Sequence, residues 1–544
     1  MTARCERWLA RAAAAHPSTP AIVRGERRVD YATLHAASER FAAALVDGAG
    51  LADGERCVVF LENSVEAAVG VFGTLRAGGV FSVINPTTKA DKLAFVLGDC
   101  GAAVLLTQTS LLPVALSAVA RAPGLRCVVV VDGDDDIERA GDIGPAGVGG
   151  DGSDVSAEPG ARLTSYARFL AAADPSRLPA QVGIDTDLAM LVYTSGSTGN
   201  PKGVMMTHAN VRFAATSITG YLQASADDVV LSVLPLAFDY GLYQLLMCVK
   251  LGATLVLEKS FAFPQKVLPL LASEGVTAFP LVPTMAALIV QLGNFDPAWA
   301  RGVRYLTNTA AALPPAHILR LQELFPAARV YSMYGMTESK RCTWLPPGEL
   351  ARRPDSVGIA IPGTQAWVAD EAGRPVPAGV VGELVVRGGH VMQGYWNNAE
   401  ATARTLRPGR YPWERVLHTG DLFRMDAEGF LYFVGRKDDI LKTRGEKVSP
   451  KEVENVLYAM HGVREAALVG VPDPVLGHAL KALLVVDDPG IDARAVIAHC
   501  RAHLEEFMVP RTVEFRDALP KTGTGKIRRS ELQAEAEGRQ VAEA

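Results

Sequence analysis

From residue 56 onward, short apolar runs alternate with longer stretches of helical spacing. Residues 57–60, 80–84, 103–106 and 127–131 read as strands, and residues 64–77, 89–97 and 111–121 as helices. Strands that are apolar throughout, with helices between them, predict a parallel sheet covered on its faces. Residues 132–159 are rich in Gly and Asp and nearly devoid of large apolar side chains, so they read as a surface insertion that cannot bury itself. The apolar run at 188–193 resumes the pattern, and a second strand–helix series occupies 229–330. After Gly358 the texture changes: 365–368, 382–387 and 430–433 are strand-like and separated by Gly/Pro turns, which predicts a smaller β-rich unit. A last unit from about residue 436 carries helical patterns at 449–460 and 492–504, strand patterns at 466–471 and 479–486, and a Lys/Arg-bearing tail. There is no internal repeat and no heptad.

The 544 residues, 49% hydrophobic and 21% charged, suffice for a large α/β body with a smaller domain. A formal net charge of -5 gives no basic field, so nucleic acid is not an expected partner. Seven dispersed cysteines, without a C-x-x-C pair, suggest neither a disulfide framework nor a zinc site, and a reducing cytoplasm is the expected compartment. Residues 5–15 read as an amphipathic helix packed on the body. The Ala-rich start is interrupted by Arg4, Glu6, Arg7 and Arg11, so it lacks the continuous apolar core of a signal peptide. No run reaches the ~18 apolar residues of a spanning helix. The oligomeric state is left open.

Candidate chemistry begins directly after the 188–193 run, at Thr194-Ser195-Gly196-Ser197-Thr198-Gly199-Asn200-Pro201-Lys202-Gly203. Glycines admit close backbone approach to an anion, hydroxyls and N–H groups donate to phosphate oxygens, and Lys202 adds a point charge. The spacing is not that of an ordinary P-loop, and Gly523-Thr524-Gly525-Lys526 also fails that pattern because Ile527 replaces the metal-binding hydroxyl. Downstream, Tyr334-Gly335-Met336-Thr337-Glu338 follows a strand-like stretch and sets an aromatic face, a hydroxyl and a carboxylate at a strand end, where open α/β sheets bind ligands. Glu338 with Thr337 could hold Mg²⁺ against phosphates. Then come Thr419-Gly420-Asp421, Gly435-Arg436-Lys437-Asp438, Lys442-Thr443-Arg444-Gly445-Glu446 and the lysine-bearing stretch ending at Lys526. His208 reads as a helix-start or packing residue, because a carboxylate is already ionised at neutral pH and needs no general base.

In the order and spacing of these motifs, over nearly the whole chain, the sequence resembles the adenylate-forming superfamily of acyl- and aryl-CoA synthetases, peptide-synthetase adenylation domains and luciferases. The resemblance implies a large multi-subdomain N-terminal domain, residues 1–435, with two parallel α/β sheets and a β-rich subdomain. It also implies a small mobile α+β C-terminal domain, residues 436–544. The implied reaction has two steps: a carboxylate attacks the α-phosphate of ATP to give an acyl-adenylate and pyrophosphate, and a thiol or amine then displaces AMP. By the same resemblance, Thr194 to Gly199 and Lys202 hold the β- and γ-phosphates, and Asn308, Thr309, Ala310 and Ala311 form the adenine wall. Tyr334, Gly335 and Met336 adjoin adenine, Thr337 and Glu338 serve Mg²⁺, and Asp421 and Arg436 contact the ribose. Lys526 reaches the α-phosphate and carboxylate oxygens, Asp438 is the hinge, and Lys442 with Arg444, Gly445 and Glu446 faces the site in the thiol step.

The acyl pocket implied in this way includes Phe238, Asp239, Tyr240, Tyr243, Thr307, Met333, Arg341 and Cys342. Asp239 stands where amino-acid-activating relatives pair with a substrate ammonium, or is a structural carboxylate. Arg341 is unusual in a pocket expected to be apolar; with Lys340 it could pair with Asp239, Glu338 or a second anionic group of the substrate. No carrier-domain or condensation motif is present, so the acceptor comes in trans. The expected substrate is a small-molecule carboxylic acid, medium-chain or aryl, with coenzyme A. A freestanding enzyme loading an amino or aryl acid onto the phosphopantetheine of a separate carrier protein, or onto an amine, is the alternative. Activation of another oxyanion such as nitrite, a luciferase-like oxidase and a binding-only nucleotide protein are more remote.

Overall fold

The computed structural model describes residues 4–132, 161–171, 173–178, 183–194, 200–309, 313, 315–437, 439, 441–443, 446–473, 477–521 and 526–543. The chain is a mixed α/β protein with a large N-terminal part of parallel-rich sheets and a small C-terminal domain. Its backbone divides into two compact units: Met1–Pro280 with Met336–Arg341 and Gly388–Leu406, and Leu281–Gly335 with Cys342–Arg387 and Arg407–Ala544.

In the first unit an eight-stranded sheet carries the expected parallel core. Arg56–Phe60 lies between Val80–Val83 and Ala102–Thr107, followed outward on one side by Cys127–Val130 and Arg162–Ser165, and on the other by Leu188–Thr194. The inner strands are buried along almost their whole length, and apolar apart from Arg56, Ser82 and Thr107, because helices Val65–Arg76, Ala90–Cys100 and Leu112–Val119 cover the sheet. The sheet is not parallel throughout. Lys202–Thr207 returns antiparallel against Leu188–Thr194, and Gly394–Tyr395 adds antiparallel beyond it. A second layer of strands contains Val229–Ser232, Thr254–Leu257 and the hairpin Pro20–Arg24/Arg27–Asp30. The N-terminal helix Glu6–Ala15 packs on this unit as expected, burying Trp8, Leu9 and Ala12; each large side chain so buried contributes roughly 1.5–3 kcal/mol.

The second unit contains the parallel pair Tyr305–Asn308 and Arg329–Tyr334, extended antiparallel by Thr343–Trp344 and Ile359–Ala360. Its β-rich portion is an antiparallel sheet of Gln365–Ala369, Gly382–Arg387, Arg415–Met425 and Leu431–Arg436. Towards the C-terminus the hairpin Val463–Asp473/Gly477–Val486 pairs with Thr512–Phe515 and is covered by helices Pro450–Ala459 and Ala493–His503. The expected tail is instead a helix, Arg529–Glu543, held by Leu532 and Ala536 against the opposite face of that sheet. The insertion read at 132–159 lies outside the described residues apart from its first position.

All seven cysteines are buried and free. Burial pushes the Cys57 and Cys100 thiols up to about 12 and Cys500 to about 11, and raises Cys5, Cys127 and Cys248 as well.

Candidate active site

In the first unit the hairpin sets Thr194 directly opposite Lys202 in register. Ser195, Gly196, Ser197, Thr198 and Gly199, at its tip, lie outside the described residues. The Lys202 ammonium stands 5.4 Å from the ring centre of Tyr395. Tyr395, on the short strand paired with Val204 and Met205, turns its hydroxyl away and donates to Glu338 Oε1 at 2.7 Å. The Glu338 backbone carbonyl accepts the Met392 N–H at 2.8 Å, so this buried residue is held through its main chain as well as through one carboxylate oxygen. Thr337 beside it is half-buried. Tyr395 was not among the residues singled out from sequence, although its glycine-flanked aromatic pair, Gly394-Tyr395-Trp396, was a usable signal.

Mg²⁺ keeps several waters and takes one or two carboxylates together with substrate phosphates. Among the described residues no group of three or more His, Cys, Asp or Glu forms a protein cage. Glu338, with Oε1 fixed by Tyr395 and Thr337 adjacent, is a donor set that fits such a phosphate-supported ion.

Also in the first unit, helix Asp239–Leu251 faces the segment 336–341. Arg341 stacks 4.6 Å over the Tyr240 ring and donates to the Lys340 carbonyl, while the Lys340 ammonium lies 5.6 Å from the Tyr243 ring centre. Lys340 has φ 62°, left-handed for a non-glycine residue, and its N–H is tied to the Met336 carbonyl at 2.6 Å. Burial, with the Arg341 guanidinium adding to it, lowers the Lys340 ammonium; the fields of Asp239 and Glu338 oppose the shift. Neither carboxylate forms an ion pair with Lys340 or Arg341 among the described residues. Asp239 and Phe238 are half-buried at the helix start.

The second unit gathers residues from motifs far apart in sequence. Strand Arg415–Met425 turns at Gly420, whose φ of 72° suits glycine. The Asp421 N–H is held by Thr419 Oγ1, and Asp421 is paired in register with Arg436. Its carboxylate accepts Tyr334 Oη at 2.6 Å and Arg436 Nε at 3.1 Å. Burial raises the Asp421 carboxyl, and Arg436, Tyr334 and Lys526 counter the rise. Lys526 keeps solvent access, yet the protein around it and the Arg436 guanidinium lower its ammonium, while Asp421 and Asp439 act in the opposite sense. Arg529, another residue the sequence reading passed over, bridges Asp439 and Glu454 and so fixes the start of the helix after Lys526.

Thr307, Asn308, Thr309, Met333 and Cys342 are all buried on or beside the strands next to Tyr334, and the Cys342 N–H donates to the Tyr334 carbonyl. Gly335 and Met336 follow Tyr334, half-buried. Ala310, Ala311, Asp438, Arg444 and Gly445 lie outside the described residues. Lys442 is on strand Leu441–Thr443 and Glu446 opens strand Glu446–Val448. His208 starts helix His208–Leu222 and is fully buried; its Nδ1 accepts the Cys5 N–H at 3.0 Å, a packing role.

The AMP-binding enzyme family profile matches residues 9–396, and the profile of the AMP-binding enzyme C-terminal domain matches residues 452–526. The chain is 33% identical over 529 residues to feruloyl-CoA synthase of Amycolatopsis sp, covering 96% of this chain and 97% of that one. It is 30% identical over 552 residues to long-chain-fatty-acid–CoA ligase of Salmonella typhimurium, covering 97% and 94%. The crystal structure of the anthranilate CoA ligase AuaEII in complex with anthranoyl-AMP superposes with a TM-score of 0.86 at 26% identity, covering 99% of this chain and 98% of that one.

Proposed function

Because the chain belongs to the AMP-binding enzyme family and is an AMP-forming acid–thiol ligase of the acyl-CoA synthetase type, we propose that it activates an aryl or medium-chain carboxylic acid with ATP and passes the acyl group to coenzyme A. In the first step a carboxylate oxygen bonds to the α-phosphorus, the Pα–O–Pβ bond breaks and pyrophosphate leaves. In the second, the coenzyme A sulfur attacks the acyl carbon, the thiol proton is lost and AMP departs with its electron pair.

The observation that carries this reading is the cluster of Tyr334, Asp421, Arg436 and Lys526. A buried carboxylate that already has two donors on fixed oxygens is oriented, with its remaining lone pairs available for a ribose diol. A partly desolvated lysine beside it is suited to stabilise charge that grows on the α-phosphate during attack. Arg436 orients Asp421 and joins the ribose contact. In the first unit, Lys202 and Thr194, with the loop they bracket, serve the β- and γ-phosphates. Glu338 with Thr337 would hold Mg²⁺, which when bound would supply charge neutralisation at the phosphates. Tyr395 positions that carboxylate. Phe238, Asp239, Tyr240 and Tyr243 line the acid's pocket, with Asn308 and Thr309 beside adenine. Lys442 and Glu446 serve the thiol step, after rotation of residues 436–544 about Asp438.

The test is pyrophosphate release with ATP, Mg²⁺ and a panel of aryl, fatty and amino acids, with and without coenzyme A. Acid-dependent release, a CoA thioester as product, and loss of release by about 10²-fold or more in Lys526→Ala support the reading. Release with no acid in the panel, despite ATP binding, defeats it.

A further inference from the structure

Among the described residues, three polar groups in the first unit are buried without hydrogen-bond partners at one place: Lys340 Nζ, Arg341 Nε and Tyr243 Oη. Their residues are 1%, 4% and 2% exposed. An uncompensated buried cation costs several kcal/mol, and here two lie side by side on adjacent residues. The carboxylates nearest in effect do not satisfy them: Glu338 Oε1 is engaged by Tyr395, and among the described residues neither Glu338 nor Asp239 forms an ion pair with either cation. The backbone bears a further cost, because Lys340 occupies the left-handed region that a glycine would fill without strain. The turn holding it there is fixed by hydrogen bonds from the Ser339 and Lys340 N–H groups to the Met336 carbonyl. Two aromatic faces, Tyr240 under Arg341 and Tyr243 near Lys340, hold the cations in place without neutralising them. Costs of this kind persist where a ligand relieves them.

We propose that Lys340 and Arg341, with the Tyr243 hydroxyl, form a recognition site for a second carboxylate on the acid that the enzyme activates, so that the preferred substrates are dicarboxylic acids. The proposal rests on the reading above that residues 238–243 line the acid's pocket. One carboxylate reacts at ATP; the other, unreacted, accepts hydrogen bonds from the ammonium, the guanidinium and the phenol, and each buried donor thereby gains a partner. A fatty chain or an unsubstituted aryl ring would leave all three donors unpaired, and sites built to hydrogen-bond a substrate group discriminate strongly against analogues that lack it.

The experiment compares matched pairs, phthalate isomers against benzoate and adipate against hexanoate, in wild type, Lys340→Met and Arg341→Met. For wild type, kcat/KM favours the dicarboxylate by at least about tenfold, and both variants bring the ratio close to one, the loss on the dicarboxylate exceeding any change on the monocarboxylate by about that factor. Thermal unfolding supplies a readout independent of turnover. Methionine removes the buried charge and keeps an unbranched chain one atom shorter at the same backbone strain, so ligand-free Lys340→Met melts higher than wild type, by about 2 °C. A dicarboxylate raises the melting temperature of wild type but not of the variant. Equal or better use of monocarboxylates by wild type overturns the proposal while leaving the ligase reading intact. A lowered melting temperature in Lys340→Met, with Arg341→Met keeping the wild-type ratio, overturns it in favour of a structural lysine. Pyrophosphate release driven by nitrite without any carboxylic acid also overturns it, since the cations would then face the sole reacting anion. If no acid is activated, the ligase reading fails, and the melting shift with dicarboxylate alone still decides this one.

Discussion

Tyr334 Oη and Asp421 Oδ2 are 2.6 Å apart, although 87 residues separate them in the chain. The phenol donates, the carboxylate accepts, and the ring is wedged edge-on against Phe423 at 4.9 Å, so neither partner turns freely. The carboxylate assigned to the ribose is therefore aimed before nucleotide arrives.

Tyr334→Phe keeps that ring packing and deletes one donor to a buried carboxylate. Hydrogen bonds to charged groups are worth about 1.5–3 kcal/mol, so KM for ATP rises about tenfold or more while the acid's KM changes little. Steady-state kinetics with each substrate varied in turn checks the split.

Tyr395→Phe retains the ring beside Lys202 but releases Glu338 Oε1. Loss of an outer hydrogen bond to a metal-ligating carboxylate weakens metal binding by about 10-fold or more. The Mg²⁺ concentration for half-maximal pyrophosphate release should rise accordingly, with the thermal midpoint of the metal-free protein nearly unchanged. A purely structural tyrosine would show the reverse pattern.

His208 is held neutral by burial, its pKa lowered to about 3 from an ordinary value near 6.5. The unfolded chain therefore binds a proton that the folded chain refuses. Its contribution is complete above pH 6.5 and is lost as pH falls from there towards 3, amounting to about 2 kcal/mol between pH 7 and pH 5. Urea unfolding at the two pH values should show this slope in wild type and a shallower one in His208→Gln, whose amide oxygen can still accept the Cys5 N–H.

Gly241, in the first turn of helix Asp239–Leu251, lies so close to the Pro235 and Leu234 carbonyl oxygens that a methyl group there would clash with backbone. Gly241→Ala should cost about 1–3 kcal/mol through overpacking. Because this helix carries Tyr240 and Tyr243, the acid's KM should rise while that of ATP holds, as measured by kinetics beside a melting curve.

The parallel core was legible because its strands, covered on both faces, are unbroken apolar runs: 57–60 and 127–131 differ from Arg56–Phe60 and Cys127–Val130 by a residue at an end. Strand Lys202–Thr207 was hidden by its position, opening on a lysine and glycine that read as part of the loop. Among its described side chains the C-terminal helix buries Leu532 and Ala536, too narrow a pattern to stand out from a charged tail. Within the candidate site, motifs named Tyr334, Asp421, Arg436 and Lys526, and the fold brings them together. Gly394-Tyr395-Trp396 marked Tyr395 as a residue of interest but not its bond to Glu338, since a long-range hydrogen bond leaves no periodicity, and nothing in a lysine announces the positive φ of Lys340.

The burial of every cysteine bears on the fate of the acyl group. An acyl-adenylate is a mixed anhydride that acylates any thiolate it meets, and coenzyme A must win that competition. With its own thiols enclosed and the titrations of Cys57 and Cys100 pushed up to about 12, the enzyme offers no internal rival nucleophile of the same element. Self-inactivation by S-acylation is thereby suppressed, and the folded protein can be assayed beside thiol-reactive probes that report only on the acceptor.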